Sequence, residues 1–164
     1  MPAITAHTAA VREFSCQDSN FVAQLPAEFP NPGVATASFQ LTLALDAPSL
    51  IVSEPQFATI RLSFLDSGAK NLDTSLPLGD YVLSIVSVDG KQVVPSSHPG
   101  LITVIRTERV STTCPSYQRF DLRSVFSLAP GQYRLTASRI LLEDHWTTNY
   151  GTVRSNEVEF SVLP

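Results

Sequence analysis

The chain has 164 residues, a length that fits one domain with a single hydrophobic core. Hydrophobic residues make up 43% of it and charged residues only 16%, which excludes a disordered chain and indicates a packed globule. The formal net charge of −4 argues against binding to nucleic acid or to anionic lipid, because neither would find a basic surface.

The N-terminus and the apolar stretches indicate where the protein works. The first residues read Met-Pro-Ala-Ile-Thr-Ala-His, without the basic and apolar regions of a signal peptide. Every apolar stretch is broken by Ser, Thr, Asp or Pro before it reaches the roughly 18 residues that a transmembrane helix needs. We therefore expect a cytoplasmic or non-classically secreted protein that does not insert into a membrane.

The chain contains two cysteines, Cys16 and Cys114, which are far apart in the sequence. A bridge between them would close a loop of about 100 residues, worth roughly 4–5 kcal/mol in the chain-entropy model. The alternative, favoured by the missing signal peptide, is two independent thiols that pack as small apolar side chains. Neither cysteine has another Cys or His within four residues, so no zinc site is predicted.

Side-chain polarity alternates with the two-residue period of a half-buried β-strand in several segments. Their apolar positions are Phe39-Leu41-Leu43-Leu45, Ala58-Ile60-Leu62-Phe64, Tyr133-Leu135-Ala137 and Val158-Phe160-Val162. Between Tyr81 and Val94, Asp89-Gly90 separates two apolar runs, which favours a hairpin whose two turn residues take positive φ. Residues 101–105 are predicted as a further strand, and residues 117–128 as another strand that ends in a short irregular stretch.

An N-terminal arm, residues 1–33, precedes the main body at residues 34–164 within one overall domain. Three prolines and a glycine in residues 26–33 exclude regular structure there. Apolar residues before this Pro-rich segment predict that the arm packs as an edge strand. The segment itself is interpreted as a linker, with an exposed inhibitory loop around Phe29 that enters a protease cleft as the alternative.

The sequence from Leu128 to Ala137 contains a Pro-Gly turn followed by the pattern x-Tyr-x-Leu-x-Ala. It resembles the corner between strands E and F of immunoglobulin-like domains, where a Tyr hydroxyl bonds back to the preceding turn, and Tyr133 is at the matching position. Residues 153–162 resemble the closing strand G of such domains. From about Ser38 onward, the chain resembles the Ig-like domain of bacterial intracellular proteinase inhibitors and the Ig-like pro-segments of some fungal metalloendopeptidases.

This resemblance implies an all-β fold, an antiparallel immunoglobulin- or fibronectin-like β-sandwich of roughly seven to nine strands. Short strands with turn signals between them predict the same class. The chain departs from antibody domains in two places: Leu135 stands where the strand F cysteine would be, and the only Trp, Trp146, is not in strand C. The resemblance is therefore to the superfamily, which hosts many functions.

No motif for catalysis or metal binding is found in the sequence. His7, His98 and His145 have no partner at metal-ligand spacing and are interpreted as surface imidazoles. Asp73-Thr74-Ser75 resembles the Asp-Thr-Ser/Gly triplet of aspartic proteases, which need two copies where this chain has one, so a solvated turn is predicted there. The sequence predicts a protein that is not an enzyme, with no catalytic residue, metal ligand or cofactor.

The segment from Glu143 to Gly151 lies between the last two predicted strands, the position of a binding loop in variable Ig domains. An indole and a phenol beside carboxylate, amide and imidazole groups can stack on a sugar ring or anchor a protein partner. The alternative is that the Trp plugs the end of the core. The candidate ligand-binding residues are Asp144, His145, Trp146, Asn149 and Tyr150.

Together these observations predict a non-catalytic recognition module that binds carbohydrate or protein, in the manner of a lectin, through the loop before the last strand. The resemblance to intracellular proteinase inhibitors adds protease inhibition as an alternative. A structural, oligomer-forming role is a second alternative. The residue pattern indicates neither the identity of the ligand nor the oligomeric state.

Overall fold

A computed structural model describes residues 11–14, 25–26, 28–74, 80–95 and 106–164. The expectation of an all-β fold is confirmed, since these residues form twelve strands, one short 3-10 helix (Leu122–Ser124) and no α-helix. No helix among them is long and apolar enough to cross a membrane. The strands are β1 (Val11–Phe14), β2 (Phe39–Leu45), β3 (Ser49–Ile51), β4 (Phe57–Phe64), β5 (Ala69–Thr74), β6 (Tyr81–Ser87), β7 (Gln92–Val93), β8 (Arg106–Ser111), β9 (Ser116–Asp121), β10 (Gly131–Glu143), β11 (Thr148–Arg154) and β12 (Val158–Leu163).

Two larger sheets and a separate ribbon organise these strands. The first sheet has the order β1-β9-β4-β2, and its pairs are antiparallel. The second has the order β3-β12-β10-β6-β7, with β11 also paired to β10. In this second sheet β3 and β12 are parallel, and the other pairs are antiparallel. β5 and β8 pair with each other as a two-stranded antiparallel ribbon.

The two larger sheets share one hydrophobic core. Leu41 of β2 and Ile60 of β4 are fully buried, as are Ile85 of β6 and Leu135 of β10. These residues belong to a single cluster of buried apolar side chains. Because successive side chains of a strand point to opposite faces, the alternation that predicts these strands also assigns the face that is buried.

The twelve described strands exceed the predicted seven to nine, for reasons that differ between segments. β3 and β7 have three and two residues, too few to show a period. Residues 155–157 separate β11 from β12, and β5 and β8 are largely polar. Within 117–128 the strand ends at Asp121, and the irregular stretch predicted after it is confirmed, beginning with a 3-10 helix that Asp121 caps by accepting from the Arg123 N–H. The predicted strand at 101–105 lies outside the described residues.

The Asp89-Gly90 turn joins β6 to β7 in a hairpin, as the sequence predicts. Gly90 has a φ of 87°, and its N–H donates to the Ser87 carbonyl at 2.9 Å. Asp89 does not have a positive φ, so the expectation of two such residues is wrong. The Ser87 N–H donates to the Lys91 carbonyl at 2.9 Å and closes the turn. Gly90 takes its left-handed position without steric cost because it has no Cβ.

Tyr133 makes the hydrogen bond that the corner motif predicts. Its hydroxyl donates to the Ala129 carbonyl at 2.7 Å, four residues back along the chain. The ring stacks on Phe160 of β12 with a centroid distance of 5.6 Å. The predicted corner hydrogen bond is therefore confirmed, and it ties the turn before β10 to the strand that follows.

The Pro-rich segment packs on the body of the fold. Phe29 is half-buried, and the Arg61 guanidinium lies 4.2 Å from the centroid of its ring. Gly33 donates its N–H to the Leu41 carbonyl at 3.1 Å. A Cβ at Gly33 would lie 2.0 Å from the Arg154 carbonyl oxygen, so no larger residue fits there. Phe29 is thus partly covered by Arg61, while Glu28 and Pro30 on either side of it are exposed. The inhibitory-loop hypothesis stays a prediction.

Asn156 closes part of the outer edge of β2. Its Oδ1 accepts from the Leu43 N–H at 2.8 Å, and its Nδ2 donates to the Leu43 carbonyl at 2.9 Å. The side-chain amide thus occupies both backbone groups that Leu43 would offer to an added strand. Together with the Gly33 bond to Leu41, this covers the middle of the edge.

Cys114 is disulfide-bonded, so the interpretation as an independent thiol is wrong for this residue. The other cysteine of the chain, Cys16, lies outside the described residues. β1 ends at Phe14, which pairs with Tyr117 in the strand that follows Cys114. Spacing in the sequence did not reveal a bridge, because pairing of cysteines depends on proximity in the folded chain.

We expect Tyr133→Phe to lower the free energy of unfolding by about 1 kcal/mol, because the corner hydrogen bond is lost while the ring can still stack on Phe160. Urea denaturation of the wild type and the variant measures the difference. Identical denaturation midpoints would show that the hydroxyl contributes no net stability.

Reduction of the disulfide at Cys114 is expected to lower the free energy of unfolding by about 2–5 kcal/mol without unfolding the protein, because the apolar core supports the fold by itself. Urea denaturation with and without reductant measures the change, and thiol titration of the denatured protein counts the bridged cysteines. Loss of all β-structure on reduction, seen by circular dichroism, would contradict the argument from the core.

Candidate recognition site at the β10–β11 turn

The candidate site lies at the far end of β10, a strand of 13 residues that pairs with three other strands. β12 pairs with the first part of β10 and β11 with the last part, as far as Glu143 and Thr148, while β6 pairs along the middle of β10 as far as Arg139. Residues 144–147 connect β10 to β11, and we call them the Trp146 turn. The hairpin therefore carries this turn beyond the part of β10 that pairs with β12.

Three of the five predicted site residues lie in the Trp146 turn. Asp144, His145 and Trp146 are all exposed, and 52% of the Trp146 surface is accessible. The indole therefore does not plug the end of the core. The indole is exposed to solvent next to the Asp144 carboxylate and the His145 imidazole.

The other two predicted site residues, Asn149 and Tyr150, lie on β11 and are already engaged. Asn149 Oδ1 accepts from the backbone N–H two residues later at 2.8 Å. The Tyr150 hydroxyl hydrogen-bonds to the Glu143 carboxylate, and this bond raises the pKa of Tyr150. Its ring centroid is 6.2 Å from that of Phe39 and 5.4 Å from Lys70 Nζ. Tyr150 thus helps to build the framework that supports the turn.

The backbone of the Trp146 turn is left-handed at three consecutive residues. The φ angle is 56° at Asp144, 53° at His145 and 69° at Trp146. This conformation costs roughly 1–2 kcal/mol for each residue that has a Cβ. Thr147 closes the turn, because its N–H and its hydroxyl donate to the Asp144 carbonyl at 3.2 and 2.7 Å. A turn with this much local strain is retained only where the surrounding structure enforces it.

Asp73 of β5 contacts the turn from below. Its Oδ2 accepts from the Trp146 N–H at 2.8 Å, and only 9% of the residue is exposed. The prediction of a solvated turn at this triplet is wrong, since Asp73 and Thr74 are buried within β5, while Ser75 lies outside the described residues. A hydrophobicity pattern does not reveal this strand, because its polar side chains are buried with hydrogen-bond partners.

A buried arginine lies behind Asp73. The Arg139 side chain, on β10, has no exposed surface. Its Nη1 donates to Glu108 Oε1 at 2.8 Å and to the Tyr81 hydroxyl at 3.3 Å. Its Nη2 donates to the Asp73 carbonyl at 3.2 Å and lies 4.0 Å from Asp80 Oδ2. This network, which we call the Arg139 network, joins β5, β6, β8 and β10.

Sequence reasoning missed Arg139, although a signal was present. The inward alternation of Tyr133, Leu135 and Ala137 continues to position 139, so the arginine falls on the buried face of β10. A charged residue at an inward position of a strand indicates buried partners of opposite charge. Those partners come from segments far away in the sequence.

Burial and the neighbouring charges shift the pKa values of Tyr81 and Arg139 in opposite directions. Desolvation raises the pKa of Tyr81 to about 12, against the opposing attraction of Arg139. Burial by itself would lower the pKa of Arg139, but the attraction of Tyr81, Glu108 and Asp80 outweighs it and raises the pKa. At neutral pH the phenol is therefore uncharged, and the carboxylates balance the guanidinium.

Within the described residues, neither a metal-binding group nor the groove of the second sheet includes the predicted site residues. In the part of the chain that the structure describes, no group of three or more His, Cys, Asp or Glu is placed to hold a metal ion. A groove of about 440 Å³ lies elsewhere, lined by residues that include Val88, Arg134 and Phe160, and none of the five predicted site residues lines it.

A scan against models of protein families and a search of curated proteins both found no match to this chain. The geometry of the Trp146 turn and of the Arg139 network is therefore the basis for a functional proposal.

Alkaline pH is expected to destabilise the protein through Tyr81. A tyrosine in the unfolded chain ionises near pH 10.0, whereas Tyr81 in the folded protein keeps its proton up to about pH 12. Between these values the unfolded state binds fewer protons, so the free energy of unfolding falls by up to about 1.4 kcal/mol per pH unit. Below this window the contribution of Tyr81 is fully present.

Urea denaturation at a series of pH values between about 9 and 11.5 measures this decline in stability. The Tyr81→Phe variant has no phenol at this position, so its stability should fall less steeply over the same range. Equal slopes for the wild type and the variant would contradict the raised pKa.

Proposed function

We propose that this chain is a non-catalytic recognition module of the immunoglobulin-like β-sandwich type, and that it binds a protein partner through the Trp146 turn. The fold part of the proposal rests on strand order. In Ig constant-type domains, one sheet has the order A-B-E-D and the other contains C, F and G. The order β2-β4-β9-β1 and the group β6, β10 and β12 fit these two sets, with β1 in the place of strand D. The corner hydrogen bond of Tyr133 is a second feature of this type.

The exposed indole of Trp146 is the observation that carries the functional part. Trp combines a large apolar surface with a polar N–H, and it is enriched among the residues that dominate binding energy at protein interfaces. Here it stands on a strained turn that a buried carboxylate holds in place. Backbone strain of this kind concentrates at binding and catalytic sites.

The neighbours of Trp146 favour a protein over a carbohydrate as the partner. Tyr150 does not offer a second free stacking face with a free hydroxyl, because Glu143 binds its hydroxyl and Lys70 approaches its ring. Asn149 Oδ1 is bonded to the backbone. A single exposed Trp with polar residues around it is the arrangement in which one anchor enters a pocket on a partner protein.

Carbohydrate binding by the same turn is the second candidate. It is favoured by the exposed Asp144 carboxylate and His145 imidazole on the two residues before Trp146. These groups could hydrogen-bond the hydroxyls of a sugar ring that stacks on the indole.

The disulfide at Cys114 supports a location in an oxidising compartment, because disulfides persist there and are rare in the cytosol. Of the two locations expected from the sequence, we therefore favour secretion over the cytoplasm. A partner for the Trp146 turn would accordingly be another protein of that compartment.

Trp146→Ala is expected to weaken binding by about 2–4 kcal/mol, the range for an aromatic anchor, while it changes the free energy of unfolding by less than about 1 kcal/mol. The wild-type protein is screened in parallel against displayed proteins, a panel of proteases and a glycan array. Isothermal titration calorimetry then compares the affinity of each hit for the wild type and for Trp146→Ala, because the variant lacks the only Trp of the chain and with it the intrinsic fluorescence signal.

Val88→Ala is the matched control, because Val88 is 67% exposed and lies in the β6–β7 turn. The proposal requires a protein ligand whose affinity falls in Trp146→Ala and is unchanged in Val88→Ala. A ligand that binds both variants as strongly as the wild type would place recognition on another surface. Hits confined to glycans and sensitive to Trp146 would favour the second candidate.

A further inference from the structure

We infer that Asp73 is the positioning residue of the recognition site: it holds the Trp146 turn in its left-handed conformation and so sets the direction in which the indole is offered. This inference rests on the proposed function for its biological purpose, but its physical content concerns only the turn and its support.

The turn cannot obtain its conformation from its own residues. Asp144, His145 and Trp146 all carry a Cβ and all have φ between 53° and 69°. Only the bonds from Thr147 to the Asp144 carbonyl close the turn locally, and they leave the Trp146 N–H without a partner inside the turn. Without an external partner, residues with a Cβ would relax toward right-handed or extended conformations.

Asp73 supplies the external partner at the residue that matters for recognition. Its Oδ2 lies 2.8 Å from the Trp146 nitrogen, a distance typical of a charge-assisted hydrogen bond. The residue is 9% exposed, so water competes little for the carboxylate. A bond to the backbone of Trp146 constrains the direction of its Cα–Cβ bond, and the side chain remains free for a partner.

Asp73 is itself held by the Arg139 network. Its backbone carbonyl accepts from Arg139 Nη2 at 3.2 Å, and Arg139 Nη1 is bound by Glu108 at 2.8 Å. The Asp73 carboxylate therefore belongs to a strand, β5, whose position is fixed by the buried ion pair of Arg139 and Glu108. This arrangement differs from an ordinary surface hydrogen bond, because the acceptor cannot follow the turn if the turn moves.

The experiment compares Asp73→Ala, which removes the acceptor, with Asp73→Asn, which keeps an oxygen acceptor without the charge. Asn71→Ala is the matched control, because Asn71 is an exposed polar residue of the same strand. Amide hydrogen exchange at Trp146, followed by NMR, and iodide quenching of Trp146 fluorescence are measured for each protein. Urea denaturation identifies variants that do not fold.

We expect Asp73→Ala to accelerate exchange of the Trp146 amide about tenfold or more and to change the quenching of the indole. Asp73→Asn should retain part of the protection, and Asn71→Ala should retain all of it. Unchanged exchange and quenching in Asp73→Ala would overturn the inference. Equal effects of Asp73→Ala and Asn71→Ala would also overturn it, since β5 would then act only through overall stability.

A second variant tests the role of strain directly. His145→Gly, placed in the Asp73→Ala background, introduces a residue that adopts the left-handed region without steric cost. Its quenching constant should move back toward that of the wild type. If it does not, strain at this turn is not what Asp73 opposes, and the inference fails.

These measurements need no ligand, so the two proposals can fail separately. If Asp73 has no effect on the turn but Trp146→Ala abolishes binding, recognition stands and positioning is wrong. If Asp73 controls the turn and Trp146→Ala leaves every ligand bound, positioning stands and the proposed function is wrong.

Discussion

The buried charge of Arg139 is the constraint on which this end of the molecule depends. A guanidinium that is removed from water is tolerated only where carboxylates and other acceptors surround it. Glu108 and the Asp73 carbonyl supply two of these acceptors, and both belong to the β5–β8 ribbon. A two-stranded ribbon is marginally stable by itself, so the arginine gives it a fixed place beside β10. The carboxylate beneath the Trp146 turn depends on that place.

Apolar alternation predicted β2, β4, β10 and β12 because hydrocarbon side chains bury these strands with a regular period. β5 gave no such signal, since Asp73 and Thr74 are buried with hydrogen-bond partners. The left-handed turn could not be predicted either, because its residue types favour other conformations. Its hydrogen-bond partner Asp73 lies 73 positions away, so the sequence around the turn does not indicate it. Contacts between distant polar residues therefore account for both of these features that the sequence pattern did not predict.

The candidate site likewise combines features that the local sequence predicts with contacts that only the folded chain shows. The sequence places five recognition residues within seven positions, and proximity in the chain made them one predicted group. Strand geometry then separates them, because Tyr150 on β11 packs near Phe39 while Trp146 remains exposed in the turn. Whether a Trp in a loop is buried depends on which elements of the fold pack over it. The residue types next to position 146 do not predict those contacts.

The covered edge of β2 restricts how another molecule can associate with this protein. Recognition by β-augmentation extends a sheet through free N–H and C=O groups at its edge. At Leu41 the carbonyl is bonded to Gly33, and at Leu43 the Asn156 amide imitates the backbone of a neighbouring strand. Gly33 cannot be enlarged without colliding with the Arg154 carbonyl, so this cover tolerates little sequence drift. Fibril-like stacking of copies through the middle of β2 is blocked for the same reason, and a partner that approaches this flank meets side chains instead of open backbone.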